Sequence, residues 1–409
     1  MSAEHGRRMG RRGVLRTAAI LAAGAPFATL RAEETPIRIG FPVPITGPYA
    51  SEAADQVRAA EIAVAEFNQS GGLGGRRAEL LVRDDKLDPG EAATRAIELI
   101  EKDRVDFIVG SLSASVQLAV NTVTKQRGVL YNSISQSDQI VSSPDWGPTT
   151  FHEAMTPHMT AGAVGRYAFE KLGKRVAYVA ADYAYGHEMV AGFRAVGATM
   201  GAEELAEIKM PIGTRDFSTL MPRLQALRPD IVFLCNFGRD QQIFVKQAHD
   251  SGLKRTAHIV APILLQTARI AGGAQAFAGV LGGTSYYWGI ESEVASARAF
   301  NDRFRKAHDG RLPSDYGALG YSGVRAVLTA AAKAGSTETA KVAAVLAGMK
   351  YDFYKGPQFY RACDHQSVQS VFIIESKANG SVPEDVFNVL ATVPGREDML
   401  KTCAQEGLG

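Results

Sequence analysis

The stretch VDFIVGSLSASVQLAV, Val105 to Val120, reads as a strand, a turn and a helix in direct succession. Val105–Val109 is a short run of strand length ending at Gly110. Ser111, Leu112 and Ser113 form the turn, and a helix is expected over 114–127. A helix starting just past a strand presents free N–H groups and a partial positive charge at the strand's carboxyl end. Such an end can hold a carboxylate without any lysine or arginine.

The same rhythm extends outward. Upstream lie a strand at Ile37–Phe41, a helix over 52–68 with Val57, Ala60, Val64 and Phe67 on one face, a strand at Glu79–Arg83 and a helix at Gly90–Lys102. Downstream, the strand Val129–Tyr131 leads to a second serine-bearing turn, Ser133-Ile134-Ser135-Gln136-Ser137. After a break near 142–156 the pattern restarts. Helices are expected at about 159–172, 186–200, 216–228 and 239–251, alternating with strands Arg175–Ala180, Leu205–Lys209, Asp230–Cys235 and Ala257–Val260. Beyond these come Tyr286-Tyr287-Trp288, two long helical patterns, and short strands such as Val368–Ile374. Strands alternating with helices of this length imply parallel sheets covered on both faces. The chain therefore reads as α/β, two similar units in tandem. Its 409 residues accommodate two domains at roughly 150 residues each.

The first 32 residues read separately, as an export signal. A basic front (RRMGRRGVLR, 7–16) precedes an apolar run from Ala18 to Ala28, too short to span a bilayer, which takes about 20 apolar residues. Arg11-Arg12 suggests the twin-arginine route, with an ordinary Sec leader as the alternative. No cysteine lies near the candidate cleavage points, which speaks against a lipid anchor. This segment carries six arginines and one glutamate, so without it the formal net charge of +2 becomes −3. The remaining chain has no basic footprint for nucleic acid.

Several familiar chemistries are not encoded. Gly71-Gly72-Leu73-Gly74-Gly75 follows a helix and precedes a strand, the reverse of a phosphate loop, and reads as a helix end and turn. Gly110-Ser111-Leu112-Ser113-Ala114 does not match a nucleophile elbow. There is no HExxH, Walker loop or dinucleotide fingerprint. Asp84 and Asp85 look paired but follow a strand and are expected to serve a loop. No Cys/His cluster has metal-site spacing. The expectation is therefore no enzyme, no metal and no cofactor. Cys235 ends an apolar run and reads as a buried thiol. Cys363 and Cys403 are either a bridge tying down the tail or two free thiols.

Five segments, in order, resemble the leucine/isoleucine/valine-binding type of periplasmic binding protein: IRIGFPVPITGPYA from Ile37, AAEIAVAEFNQSGGLGGRRAELLVRDD ending at Asp85, VDFIVGSLSASVQLAV from Val105, ADYAYG from Ala181 and YRACDHQ from Tyr360. The resemblance covers nearly the whole chain beyond the leader. It implies a type I periplasmic binding protein: two Rossmann-like lobes with parallel sheets, joined by three hinge crossings near 152–156, 284–287 and 354–358. The N-terminal lobe would comprise 35–153 plus 285–355, and the C-terminal lobe 154–284 plus 356–409. YRACDHQ favours the Cys363–Cys403 bridge.

The resemblance also implies a site between the lobes, at the strand carboxyl ends. The carboxylate of the ligand would be held by Ser111, Ser113 and Ala114 in the first turn and by Ser135, Gln136 and Ser137 in the second. Ala114 departs from the family's usual serine and retains only its N–H. Tyr49, Tyr185 and Phe237 would supply walls. His152 would be either an anion donor or a hinge residue, and Tyr287 lies at the second crossing. Ile263 is the informative departure, because amino-acid-binding relatives have an acidic residue nearby to pair with the ligand's ammonium. An unpaired buried ammonium costs several kcal/mol. A carboxylate ligand with an apolar or aromatic body, an aromatic or 2-oxo acid, is thus expected over an α-amino acid. The implied partners are an ABC permease and its ATPase subunits; the protein would be a periplasmic monomer. A ligand-binding component of a signalling system is the alternative.

Overall fold

The computed structural model describes residues 35–408. The export signal expected in residues 1–32 lies outside them. Strands Ala78–Asp84, Ile37–Val43, Phe107–Gly110, Leu130–Ser133 and Thr150–His152 form, in that order, an all-parallel sheet of five. A second sheet has seven strands. Glu203–Met210, Arg175–Ala181, Ile231–Cys235, His258–Ile263 and Leu281–Thr284 run parallel; Val371–Ser376 and Phe387–Val393 extend it antiparallel. Central strands such as Phe107–Gly110 and Ile231–Cys235 are buried at every position, as sheets covered on both faces require.

The helices follow the expected rhythm: Ala50–Gln69, Ala114–Arg127, Ala184–Met200 and Gly238–Asp250 each follow a strand. The glycine-rich segment is a turn, with Leu73 and Arg76 bonded to each other through their backbones. At Gly72 φ is +67°, and an added Cβ would fall 2.0 Å from the Arg76 carbonyl oxygen, so only glycine fits.

Three elements depart from the sequence expectation. Thr150–His152, inside the expected break, is a fifth strand of the first sheet. Leu281–Thr284 (LGGT) lacks the β-branched signature, yet it is central, with Gly282 pressed against Ala261. The expected single strand Val368–Ile374 is divided. Ser367–Val368 belongs to a small antiparallel sheet with Lys350–Tyr351 and Gln358–Tyr360, and Val371–Ser376 joins the large sheet.

Three crossings join the lobes, and one buried network ties them together. Lys355 Nζ donates to Ser285 O (2.8 Å) and Gln369 Oε1 (2.5 Å). Gln369 Nε2 donates to Glu153 O (2.5 Å). The Glu153 carboxylate accepts from Ser322 Oγ and Tyr351 OH (each 2.5 Å) and from Tyr360 OH (2.7 Å). Residues 153, 285 and 355 thus meet where the chain passes between lobes.

The tail touches both lobes. Beyond the two antiparallel strands it returns to the first lobe, where Ser143 N–H donates to Glu406 O (2.8 Å). Cys363 and Cys403 are bridged, closing a loop of 40 residues, and Cys235 is a buried free thiol. Loop-closure entropy puts such a bridge at about 2–4 kcal/mol. Reduction should therefore lower Tm by several degrees and raise amide exchange in residues 400–408. Unchanged exchange there would show that the tail is held without the bridge.

Candidate site between the lobes

The two serine-bearing turns leave neighbouring strands side by side. Gly110 is in register with Ser133, and Ile134 N–H donates to Gly110 O at 3.1 Å. Adjacent strands lie about 4.8 Å apart, so the turns converge at one sheet end. Ser113 is the N-cap of helix Ala114–Arg127, with extended φ −110° and ψ 138°. Its hydroxyl makes no capping bond, so the amides opening that helix keep their unpaired N–H groups and positive pole. The Ser111 hydroxyl and the Gln136 side-chain oxygen are buried without a hydrogen-bond partner among the described residues. Ala114 is buried behind the same turn.

Aromatic side chains from both lobes meet one another beyond the strand ends. Tyr49, the N-cap of helix Ala50–Gln69, packs edge-on against Phe237 at 4.7 Å between centroids. Phe237 also meets Tyr316 at 4.9 Å and Tyr185 at 6.3 Å. Tyr49 OH bonds Tyr183 OH at 3.3 Å, while the Tyr185 hydroxyl is buried without a partner among the described residues. Gly238 (φ +59°) lets the lobes come this close, since a Cβ there would lie 2.6 Å from the Tyr49 ring.

Two predicted residues serve elsewhere. His152 has both ring nitrogens engaged, Nε2 with Ser135 O and Nδ1 with Gln366 Oε1, each at 2.5 Å. It braces the second turn through the Ser135 carbonyl, and both of its ring nitrogens are taken. Tyr287 is at the outer strands of the large sheet. Its hydroxyl accepts from Val386 and Phe387 N–H (3.1 and 3.2 Å), and its ring packs on Trp288 and Phe387. It does not join the aromatic cluster. Ser137 is at the turn, but its hydroxyl donates to Glu188 of the opposite lobe. Ile263 is buried and its carbonyl accepts from Gln241 Nε2 (2.7 Å).

Sequence reading missed Tyr183, Tyr316, Glu52, Asp315 and Glu188. Tyr183 is a helix N-cap like Tyr49 and Phe237 and was findable in ADYAYG. Tyr316 and Asp315 open helix Asp315–Ala334, remote in sequence from every strand end. Glu52, in the first turn of helix Ala50–Gln69, accepts from the Thr267 hydroxyl across the cleft. Burial raises the Glu52 carboxyl to about 7 and that of Asp315 to about 8.

The Asp315 shift has a testable sign. A carboxyl whose folded pKa is raised contributes stability that is fully present below its unfolded value near 4 and is lost as pH rises through about 8. Asp315→Asn should therefore gain on the wild type by a few degrees in Tm between pH 5 and pH 8.5. A constant Tm difference across that range would contradict the assignment.

Among the described residues no group of three or more His, Cys, Asp or Glu side chains is placed to hold a metal ion, and no helix is long and apolar enough to cross a membrane.

Comparison with known proteins agrees with this architecture. The chain is 26% identical over 363 residues to the Leu/Ile/Val-binding protein homolog 6 of Brucella melitensis, covering 87% of this chain and 90% of that one. It superposes on a periplasmic binding protein of Burkholderia mallei with TM-score 0.83 and 28% identity, covering 91% and 97% of the two chains. It also superposes on a solute-binding protein of an ABC transporter from Rhodopseudomonas palustris, solved with 3,4-dihydroxybenzoic acid, with TM-score 0.80 and 23% identity over 88% and 97%. The sequence profile described as periplasmic binding protein matches residues 36–381. With its two sheets, three crossings and paired turns, the chain belongs to the periplasmic binding protein family.

Proposed function

We propose that this solute-binding protein holds a small carboxylate-bearing ligand between its lobes and delivers it, in the closed form, to the permease of an ABC importer in the periplasm. The observation that carries the reading is the pair of turns, Ser111–Ala114 and Ser135–Ser137, leaving adjacent strands, together with the aromatic cluster to which both lobes contribute. The ligand's carboxylate sits on the amides opening helix Ala114–Arg127, and its body lies among Tyr49, Tyr185, Phe237 and Tyr316. Binding couples to closure because the closed form gains contacts that the open form lacks. The lobes divide as 35–153 plus 285–355 and 154–284 plus 356–409, with the end of the tail returning to pack at Ser143. The protein acts as a monomer and catalyses no reaction.

An aromatic or 2-oxo acid is favoured over an α-amino acid. No charged residue replaces Ile263, and the nearby acids Glu52 and Asp315 are held toward their neutral forms, which donate to oxygen. Known relatives of this fold from Rhodopseudomonas palustris were solved with benzoate and 4-hydroxybenzoate. Mass spectrometry of small molecules released on denaturation, with thermal shifts by benzoate, 4-hydroxybenzoate, phenylpyruvate and leucine, tests the reading. Stabilisation by one of the three acids, with leucine inert, is expected. Stabilisation by leucine alone would overturn the ligand class. A binding-competent fold stabilised by none, releasing no carboxylate, would overturn the site.

A further inference from the structure

We propose that Glu188 is the closure latch: a second-lobe carboxylate that sets ligand retention by gripping the ligand-turn Ser137–Gln139 of the first lobe. Ser137 Oγ donates to Glu188 Oε1 at 3.0 Å, Asp138 N–H to Oε2 at 3.0 Å and Gln139 N–H to Oε1 at 3.2 Å. These are the hydrogen bonds of that carboxylate among the described residues, and every one crosses between lobes. Glu188 therefore does nothing by hydrogen bonding for its own helix, Ala184–Met200. The turn is braced for the encounter. Ser137 Oγ also accepts from Gln139 N–H (3.0 Å), and Asp138 Oδ1 accepts from His158 N–H (3.0 Å) past the first crossing.

The physical argument is one of satisfied donors. Closing buries the Ser137 hydroxyl and half-buries the Asp138 amide, while the Gln139 amide stays at the exposed edge; a buried donor without an acceptor is costly. The Glu188 carboxyl, whose pKa burial raises to about 7, supplies acceptor oxygens to all three. When the lobes part, these groups return to water, so the bonds count only in the closed form. Ser137 belongs to the same turn as Ser135 and Gln136. A ligand that orders this turn thus presents the latch with its partners already in place, and the latch slows the ligand's escape without touching it. Glu188 is a positioning residue for closure.

The proposal rests on the reading that the lobes open and close, and not on the identity of the ligand. Spin labels at Glu61→Cys in the first lobe and Lys246→Cys in the second, both exposed, report the interlobe distance. The native cysteines are buried or bridged and stay unlabelled. In the full-length protein as isolated, Glu188→Ala should lower the closed-to-open ratio about tenfold. Glu188→Gln, which keeps one acceptor oxygen, should fall between, and Ser137→Ala should lose less than Glu188→Ala. With whichever of benzoate, 4-hydroxybenzoate, phenylpyruvate or leucine binds, koff should rise about tenfold while kon stays within twofold. Equal closed fractions in folded wild type and Glu188→Ala would overturn the latch. A shifted fraction with no binding by any of the four would support the latch and count against the proposed ligand class.

Discussion

Replacing Glu153 by alanine is expected to destabilise the protein by about 3–5 kcal/mol, the usual cost of deleting one partner from a buried polar network. Three hydroxyls converge on this carboxylate, from Ser322, Tyr351 and Tyr360, and all three residues are buried. Alanine would leave each donor without its acceptor and open a cavity besides. The damage would spread to Lys355, whose pKa burial lowers to about 7 and the Glu153 charge pulls back up. Glu153→Gln keeps a side-chain oxygen for part of this set and should lose less than half as much. Urea melts of the two variants check the ordering. A loss below about 1 kcal/mol for the alanine variant would mean that solvent reaches the crossing and that the network does not organise the hinge.

Ser113→Asp is expected to weaken ligand binding at least 100-fold while leaving the fold as stable as before. Aspartate caps helices as well as serine does, so helix Ala114–Arg127 keeps or improves its start. The added carboxylate, however, occupies the positive pole that the ligand's own carboxylate needs. Like charges set against each other in a closed interface cost several kcal/mol, and each 1.4 kcal/mol is tenfold in affinity. Calorimetric titration against a circular-dichroism melt separates the two effects. Affinity within tenfold of wild type would place the ligand's anion elsewhere. A parallel Ser113→Ala change removes only a hydroxyl and should cost much less.

The legible part of this protein was the part written locally. VDFIVGSLSASVQLAV fixes strand, turn and helix by apolar run, glycine and cap, and the structure places Phe107–Gly110 and Ala114–Arg127 there. Tyr49 and Phe237 were recognisable because each stands between a strand and a helix, where an α/β sheet exposes side chains to its cleft. Residues whose role depends on the opposite lobe were not legible. Glu188 is an ordinary polar position on helix Ala184–Met200 until the turn at Ser137 is brought to it. Asp315 and Tyr316 join the cluster only because their helix packs on the first one, some 250 residues earlier in the chain. His152 was ambiguous for the same reason, since Gln366, which engages its second ring nitrogen, arrives from the far end of the chain. LGGT at 281–284 was missed because its glycines serve close packing against Ala261 and Val164, which no propensity records.

The most direct measurement is a crystal structure of the protein with whichever acid gives the largest thermal shift. The account predicts the carboxylate within hydrogen-bond distance of the amides opening helix Ala114–Arg127 and of the Ser135 turn, its apolar body between Tyr185 and Phe237. A ligand bound with its carboxylate turned toward the second lobe or solvent, leaving those amides to water, would contradict it.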